Sequence, residues 1–317
     1  MSLDILIPTY NRVKALEKNV LMLISYIDRV HRSTDINIRV IISNNKSEDD
    51  TNVVIDRIIK MRDDVIFLNQ KDNIGLEGNA VYLLSISNAK YVMYLGDDDY
   101  LEYDYFKEVL THISSAKYGC IIPSFVAKTI DGKIVSARGV GEKCEYKAGM
   151  EAILKASLLG HQLSGIVFLR DATLENYLKK TELRNIYLFI SFVGFNAARG
   201  NVLILGYYPV TVTMGEKKYW GYGDDCLFSE KIKNTHIITD ENFIKYLLQV
   251  KFFYSNLFSI YLVYGDLQSR LRAVYLAVTS KYLSRYMLFT TPMIMICFLV
   301  GMVHRYFSSK IKINFLK

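Results

Sequence analysis

The first hundred residues alternate between short apolar runs and stretches with helical spacing, and this pattern limits the possible folds most strongly. The apolar runs lie at Leu3–Ile7, Ile38–Ile42, Val65–Leu68 and Tyr91–Leu95. The first two are nearly continuous and rich in β-branched residues, as in strands that are buried on both faces of a parallel sheet. Apolar residues recur at helical spacing between the runs, at 13–30, 51–61 and 76–89. The alternation predicts an α/β fold with a mostly parallel sheet.

Polar clusters follow three of these runs directly. They are Pro8 to Arg12, Ser43 to Asn45 and Gly96 to Asp99. Open α/β sheets bind ligands in the crevice beyond the carboxyl ends of their strands. We therefore expect the three loops to converge on one binding site.

The acidic turn Gly96-Asp97-Asp98-Asp99 is the most informative of these clusters. Three adjacent carboxylates repel one another unless a cation or a set of hydrogen-bond donors holds them. Mg²⁺ and Mn²⁺ prefer oxygen ligands and could join such carboxylates to a diphosphate. The alternative is a solvated acidic turn that caps a helix starting near Tyr103.

Four motifs, in order along the chain, resemble the signatures of family 2 glycosyltransferases with the GT-A fold, a Rossmann-like nucleotide-sugar-binding domain. They are Leu6 to Arg12, Ile41 to Asn45 followed by Ser47, Asp49 and Thr51, Asn73 to Gly75 with Asn79, and Leu95 to Leu101. The resemblance implies a catalytic domain over residues 1–225. Ser164 to Val167 and Pro209 to Gly215 are similar to the bacterial O-antigen abequosyl- and rhamnosyl-transferase branch.

The resemblance implies a donor site in the strand-end crevice. Its nucleotide-sugar-binding residues would be Pro8, Thr9, Tyr10, Arg12, Asn44, Asn73, Gly75, Asn79 and Asp97. Asp98 and Asp99 would hold Mg²⁺ or Mn²⁺. Two positions depart from the family pattern. Gly96 replaces the first Asp of the Asp-x-Asp motif, and Asn44 replaces a more usual Asp that faces the base.

The resemblance also implies an inverting transfer, in which a general base removes the proton of the acceptor hydroxyl. The family places an acidic pair in the region of Glu182 to Leu188, and related enzymes have a His near the position of Tyr187. Glu182 and Tyr187 are therefore the catalytic candidates. An exposed carboxylate without a catalytic role is the alternative for Glu182.

Three further side chains are candidates for the acceptor side or for a lid: His161, Gln162 and Trp220. Trp220 lies in a stretch rich in Gly, Lys and aromatic residues, and 209–223 is predicted to be a mobile loop. Its ring could stack on a sugar when the loop closes, or pack the loop against the domain. His161 could equally be a core histidine.

The positive charge is concentrated at the carboxyl end. The chain has a net charge of +7, and 267–317 contains eight Lys and Arg but no Asp or Glu, so the other residues carry a net charge of about −1. The same segment has 18 uncharged residues at 286–303, close to the roughly 20 apolar residues of a spanning helix. The pattern predicts a helical, basic, membrane-associated region over 226–317 that binds an anionic membrane. A buried helix or a dimer interface is the alternative.

Together these features predict a metal-dependent, inverting hexosyltransferase. The donor would be a UDP-, GDP-, dTDP- or CDP-sugar, and the acceptor a polyprenyl-linked saccharide in bacterial O-antigen (lipopolysaccharide) or capsule synthesis. Nucleic acid is not an expected partner, because the cations accompany an apolar run. Four cysteines without a paired pattern and the lack of a signal-like start predict the cytoplasmic face of the inner membrane, either peripherally or through a single C-terminal anchor.

Two alternative functions fit the same features, and the oligomeric state is open. A nucleotidyltransferase also combines a nucleotide with acidic metal ligands. A catalytically inactive, membrane-associated scaffold of the same fold would account for the missing base.

Overall fold

The structure is a computed structural model and describes residues 1–31, 34–214, 227–263 and 267–298. The chain divides into two compact units, Met1–Gly221 and Tyr222–Lys317. The boundary predicted at residue 225 falls outside the described residues, as does Trp220. The first unit contains the other candidate site residues.

The first unit combines one sheet with seven α-helices among its described residues. Its strands are β1 (Ser2–Thr9), β2 (Asn37–Asn44), β3 (Val65–Asn69), β4 (Tyr91–Tyr94), β5 (Tyr118–Thr129), β6 (Ile134–Arg138), β7 (Lys143–Tyr146), β8 (Val167–Leu169) and β9 (Asn201–Met214). Its helices are α1 (Val13–Val30), α2 (Thr51–Ile59), α3 (Gly75–Ile86), α4 (Tyr103–Ser114), α5 (Met150–Ala156), α6 (Thr173–Leu178) and α7 (Leu188–Arg199). Short 3₁₀ turns lie at Ser157–His161 and Thr181–Leu183. The predicted alternation of strands and helices over the first hundred residues is confirmed.

The sheet is mixed, so the prediction of a mostly parallel sheet is wrong. The strand order is β3-β2-β1-β4-β8-β5-β9-β7, and β6 pairs with β5. Among the strands that the structure describes, four pairs are parallel and four are antiparallel. The parallel pattern predicted from the first hundred residues holds for β1 to β4. Strand β6 pairs antiparallel with β5 because a short turn joins the two strands. Strands β7 and β8 are also antiparallel to their partners.

The central strands are apolar on both faces because helices cover the sheet. Leu3, Ile5 and Ile7 of β1 are fully buried in the same core as Leu16 and Val20 of α1. The buried residues of α1 recur at the helical spacing expected for one apolar face: Leu16, Asn19, Val20, Leu23, Ile27 and Val30. Asn19 is the polar member of this buried stripe.

The parallel register brings the carboxyl ends of the first strands to one edge. Thr9 at the end of β1 lies opposite Asn44 at the end of β2. On the other side of β1, Leu6 lies opposite Tyr94, and the amide of Leu95 donates to the Leu6 carbonyl at 3.1 Å. The loops that follow these three strands therefore start side by side.

Strand β9 covers part of the predicted mobile loop. It runs from Asn201 to Met214, so the loop prediction is wrong over 209–214. Pairing with β5 along its whole length, from Tyr118 opposite Asn201 to Thr129 opposite Met214, provides partners for this backbone. Residues 215–223 of the predicted loop lie outside the described residues.

The second unit is helical where it is described. Its helices are α8 (Leu227–Ile238), α9 (Asn242–Val263), α10 (Leu267–Val278) and α11 (287–298). The buried Gln249 of α9 accepts from the amide of Ser284 at 2.7 Å and donates to the carbonyl of Tyr282 at 3.0 Å, which fixes the turn before α11. Of the predicted apolar run 286–303, the structure describes residues up to 298. None of the helices in the described ranges is long and apolar enough to span a bilayer.

The backbones of β5 and of the turn before β9 meet closely at two glycines. A Cβ atom on Gly119 would lie 2.8 Å from the carbonyl oxygen of Asn196 and 2.9 Å from the Cα of Gly200. We expect Gly119→Ala to lower the free energy of unfolding by about 1–3 kcal/mol, because backbone atoms must move to accept the methyl group. Equilibrium urea unfolding measures the change.

Gly78→Ala is the matched control for that substitution. Gly78 lies inside α3, and its added Cβ would lie 3.4 Å from the Cβ of Ile74, an ordinary contact. Alanine favours a helix interior over glycine by about 1 kcal/mol, so this variant should be slightly more stable than the wild type. Equal destabilisation by the two substitutions would contradict the close approach at Gly119.

Candidate active site

The acidic turn joins the end of β1 through the side chain of Asp97. The hydroxyl of Thr9 donates to Asp97 at 2.7 Å, and the guanidinium of Arg12 donates to its other oxygen at 3.1 Å. Asp97 is buried, with 5% of its surface exposed. Burial raises the pKa of Asp97 to about 6, although the Arg12 charge opposes this.

Arg12 also contacts the second carboxylate of the turn. Its Nη1 lies 2.6 Å from Oδ2 of Asp98, whose side chain is 14% exposed. One guanidinium therefore interacts with two adjacent carboxylates, which reduces the repulsion between them. The hydroxyl of Thr213, at the end of β9, donates to the backbone oxygen of Asp98 at 2.6 Å.

The third carboxylate, Asp99, faces away from Arg12 and toward a different set of donors. The hydroxyl of Ser164, the amide side chain of Gln162 at 3.2 Å and the backbone N–H of Thr213 at 3.2 Å all donate to it. Burial, followed by the charge of Asp98, raises the pKa of Asp99 to about 7. Asp99 thus joins the acidic turn to the 162–164 segment and to the end of β9.

The structure gives a physical reason for Gly96 at the position of the missing aspartate. A Cβ atom there would lie 2.9 Å from the Oδ2 of Asp99 and 3.2 Å from the hydroxyl oxygen of Ser164. The amide of Gly96 donates to the same hydroxyl at 2.9 Å. A larger residue at this position would disturb the network that holds Asp99.

The loop after β2 lies directly beside the end of β1. The amide of Asn45 donates to the carbonyl of Thr9 at 2.9 Å. Asn44 is buried, and its side-chain NH₂ donates to Asn52 at 2.9 Å and to Asn69 at 3.0 Å. These bonds occupy both of its donors, so Asn44 shapes the wall of the crevice. Its predicted contact with a base stays a prediction.

Amide side chains hold the segment after β3, which contains Asn73 and Gly75, to the loop after β2. Asn45 donates to Asn73 at 2.8 Å, and the same Asn73 oxygen accepts from the amide of Gly75 at 3.0 Å. Gly75 has a φ of +76°, which favours glycine. Asn79 exchanges hydrogen bonds with Ser43, accepting from its hydroxyl at 2.6 Å and donating to its carbonyl at 3.0 Å. The predicted convergence of the strand-end loops is confirmed by these contacts.

The remaining candidates are placed less closely. Pro8 is buried at the end of β1, and Tyr10 after it is partly exposed. Gln162 reaches the acidic turn through Asp99, whereas the exposed His161 lies beside Arg138 at 3.2 Å. Tyr187 is buried immediately before α7.

Glu182 is exposed in the 3₁₀ turn Thr181–Leu183. Across the described residues, no hydrogen bond or ion pair joins it to the acidic turn. Its role as a base, like that of Tyr187, stays a prediction.

Sequence reasoning missed an ion pair that positions the segment containing Glu182. Arg184 donates two parallel bonds of 2.8 Å to the carboxylate of Glu77, in the first turn of α3. This two-bond geometry is the strongest form of such a pair. It holds the 181–187 segment next to the helix that follows Asn73 and Gly75.

The analysis of the sequence also missed two other members of the network, Asn19 and Thr213. The side chain of Asn19 donates to the carbonyls of Gly96 and Asp99, both at 2.9 Å. A signal for Asn19 was present, since it is a polar residue on the buried face of α1. No comparable signal marks Thr213, which is far from the turn in the sequence.

The carboxylates of the acidic turn are compatible with a divalent metal that is bound through one protein carboxylate. Among the residues that the structure describes, no group of three or more His, Cys, Asp or Glu side chains could hold a metal ion. Asp97 and Asp99 are buried and engaged with protein donors, whereas Asp98 is partly exposed and pairs with Arg12. Mg²⁺ is commonly bound by one or two carboxylates together with substrate phosphates. Asp98 fits that arrangement as the carboxylate ligand, with the substrate phosphates as further ligands.

Comparison with known families agrees with this geometry. Residues 4–158 match the profile described as glycosyl transferase family 2. The matched segment includes the loops after β1, β2 and β4. The chain is therefore similar to this family over residues 4–158. The hydrogen-bond network around the acidic turn extends beyond the matched segment, because Gln162, Ser164 and Thr213 follow residue 158.

Solved structures show the same fold. The chain resembles S. aureus TarS 1-349 with a TM-score of 0.60 and 13% identity, covering 88% of this chain and 81% of that one. A structure of TarS 1-349 in complex with UDP-GlcNAc gives a TM-score of 0.61 and 15% identity, covering 87% and 79%. A search among curated proteins gives no significant match. At identities of 13% and 15%, the structural likeness shows the fold alone.

The raised pKa of Asp99 predicts a pH dependence of stability. The ordinary value is 3.8 and the folded value about 7, so the folded protein retains a proton that the unfolded chain has lost between about pH 4 and pH 7. The contribution of Asp99 to stability therefore falls as the pH rises through this window. Asn at this position cannot ionise. The free energy of unfolding of Asp99→Asn, measured relative to that of the wild type, should therefore be higher at pH 8 than at pH 5.

Urea unfolding of both proteins at pH 5 and pH 8 measures this difference. Asp171→Asn, an exposed aspartate that pairs with Arg199 away from the acidic turn, controls for the loss of a carboxylate. The assignment is wrong if Asp99→Asn shifts stability equally at the two pH values.

Proposed function

We propose that this glycosyltransferase transfers a sugar from a nucleotide-sugar donor to a saccharide acceptor. One observation carries the proposal: loops after β1, β2 and β4 meet at a cluster of three carboxylates that Thr9, Arg12 and Ser164 hold. Ligands of open α/β sheets bind at such a strand-end edge. The family of residues 4–158 and the UDP-GlcNAc complex of S. aureus TarS support this choice of donor.

The donor site is assigned to the chain's own polar groups. Thr9, Tyr10 and Arg12 line the nucleotide pocket, and Asn44 forms its wall. Asn73, Gly75 and Asn79 form the floor under the ribose and phosphates. Arg12 brings a positive charge next to the carboxylates, where it can also interact with the negative diphosphate.

A divalent ion, Mg²⁺ or Mn²⁺, would be held by Asp98. When bound, it would stabilise the negative charge that develops on the leaving diphosphate. Asp97 keeps Arg12 and Thr9 in position, and Asp99 keeps the turn in place through Ser164. In this assignment Asp99 supports the backbone of the site and does not contact the ion directly.

Transfer with inversion requires a base for the acceptor hydroxyl. We assign this role to Glu182, because the Arg184–Glu77 ion pair holds its segment beside α3. Glu182 is exposed, and Tyr187 is the second catalytic candidate. We assign His161, Gln162 and Trp220 to the acceptor side or to a lid.

The acceptor that suits the basic carboxyl end is a polyprenyl-linked saccharide at the cytoplasmic face of a bacterial inner membrane. Such an acceptor stays in the bilayer, so an enzyme bound to the surface meets it more often. The similarity of Ser164 to Val167 to the O-antigen abequosyl- and rhamnosyl-transferase branch favours surface polysaccharide synthesis, either O-antigen or capsule.

The deciding experiment measures the products released from a panel of UDP-, GDP-, dTDP- and CDP-sugars. Asp98→Asn should lower kcat by about a hundredfold or more, because the stabilisation of the leaving diphosphate is lost. The variant should melt within a few degrees of the wild type. Asp171→Asn, which is 85% exposed, is the matched control and should turn over normally.

The products separate this function from its alternatives. A glycosyltransferase releases a nucleoside diphosphate, a nucleotidyltransferase releases or consumes pyrophosphate, and a scaffold binds the nucleotide without turnover. Unchanged turnover by Asp98→Asn, with and without added Mg²⁺, would remove the metal assignment. Release of pyrophosphate would overturn the glycosyltransferase reaction itself.

A further inference from the structure

One side of α11 is packed and the other is exposed. Met287 and Ile294 are buried, with 1% and 9% of their surfaces exposed. Aromatic rings at each end of α11 contact rings of α9. The ring centroids of Tyr286 and Tyr246 are 6.1 Å apart, and those of Phe298 and Tyr254 are 6.3 Å apart. Helix α11 therefore lies along α9 and uses one face for this contact.

The opposite face of α11 is apolar and exposed. Its members are Leu288, Phe289, Met293 and Ile296, with exposed fractions of 70%, 80%, 66% and 61%. At 100° per residue the four side chains fall within an arc of about 140° on the helix. A soluble surface does not usually gather large apolar side chains in this way, and such stripes mark interaction sites.

The charge around this face identifies the partner. The described residues from 267 to 298 include Arg270, Arg272, Lys281 and Arg285 and no acidic residue. Arg285 is exposed directly before α11, and Leu271, Arg272 and Tyr275 are exposed along α10. Exposed apolar side chains on α11, together with the exposed cations Arg272, Lys281 and Arg285 of the same unit, complement an anionic lipid surface. A second copy of this chain would instead bring another set of cations to the same face.

We propose that α11 lies in the plane of an anionic bilayer. Leu288, Phe289, Met293 and Ile296 enter the boundary between headgroups and acyl chains, and Arg285 faces the lipid phosphates. The in-plane orientation follows from the packing, because the face formed by Met287 and Ile294 is occupied by protein and cannot face lipid.

The in-plane orientation suggests how the enzyme meets a lipid-linked acceptor, and this consequence rests on the proposed function. An enzyme held by one face of one helix is bound reversibly and keeps its catalytic unit in the aqueous phase. It can then move along the surface between lipid-linked acceptors. Binding to the bilayer itself does not depend on glycosyl transfer.

Co-sedimentation of the full chain with vesicles tests the binding. We expect binding to vesicles of phosphatidylcholine with phosphatidylglycerol and weaker binding to phosphatidylcholine alone. Leu288→Ser with Phe289→Ser should lower the partition coefficient about tenfold or more. Val53→Ser with Ile130→Ser is the matched control, because these side chains are 70% and 73% exposed in the first unit, and it should bind as the wild type does.

Arg285→Gln tests the electrostatic part. Loss of one cation near an anionic surface should weaken binding to the phosphatidylglycerol vesicles about fivefold. Binding to vesicles of phosphatidylcholine alone should stay unchanged.

A depth measurement distinguishes an in-plane helix from a spanning one. The four native cysteines are replaced, and a fluorophore is attached to Leu288→Cys or Ile296→Cys and quenched by nitroxides at known depths in the bilayer. The two positions are about 12 Å apart along the axis. An in-plane helix places both labels at similar shallow depths, about 5–10 Å below the headgroup boundary, whereas a spanning helix separates them by most of that 12 Å.

Three results would overturn the proposal. They are equal vesicle binding by the α11 variant and its control, a depth difference near 12 Å, and a solution dimer that the Leu288 and Phe289 substitutions dissociate without any vesicle binding. Release of nucleoside diphosphate is measured separately, without vesicles. Lost vesicle binding with Asp98-dependent turnover would refute this inference alone, and vesicle binding without turnover would refute the proposed function alone.

Discussion

Three adjacent carboxylates, of which Asp97 and Asp99 are buried and Asp98 is partly exposed, are the constraint on which the rest of the structure depends. Each of them interacts with donors from elsewhere in the fold: Asp97 with Thr9 and Arg12, Asp98 with Arg12, and Asp99 with Ser164, Gln162 and Thr213. Without these partners, desolvation and mutual repulsion would expel the charges or protonate them. The acidic turn is therefore stable only when the loops around it are correctly folded, and the loops in turn are positioned by the turn.

The sheet is what makes these partners available. Strand β1 lies between β2 and β4, and all three run parallel, so their carboxyl ends meet. On the far side of β4, the backbone before β8 pairs with Tyr94 through the amide of Gly165 at 2.7 Å. This places Ser164 beside the turn. The ends of β1 and β2 thus supply Thr9, Asn44 and Asn45, while the segment before β8 and the end of β9 supply the support for Asp99.

The second unit contributes a different kind of chemistry. Its described residues carry exposed apolar side chains on α11 together with the exposed cations Arg272, Lys281 and Arg285. The first unit has a nearly balanced charge by comparison. The proposed donor site and the proposed lipid-binding face therefore belong to different units of the chain.

The sequence by itself determined the order of strands and helices over the first hundred residues, the three strand-end loops and the position of the acidic turn. It could do so because hydrophobic periodicity and loop placement are local properties. The tertiary structure alone decided that the sheet is mixed, that 209–214 belongs to a strand, and that Asn19, Thr213 and the Glu77–Arg184 pair support the site. It also decided which carboxylates face protein donors. These outcomes depend on contacts between residues far apart in the chain, and no local pattern encodes which distant donor will meet a buried charge.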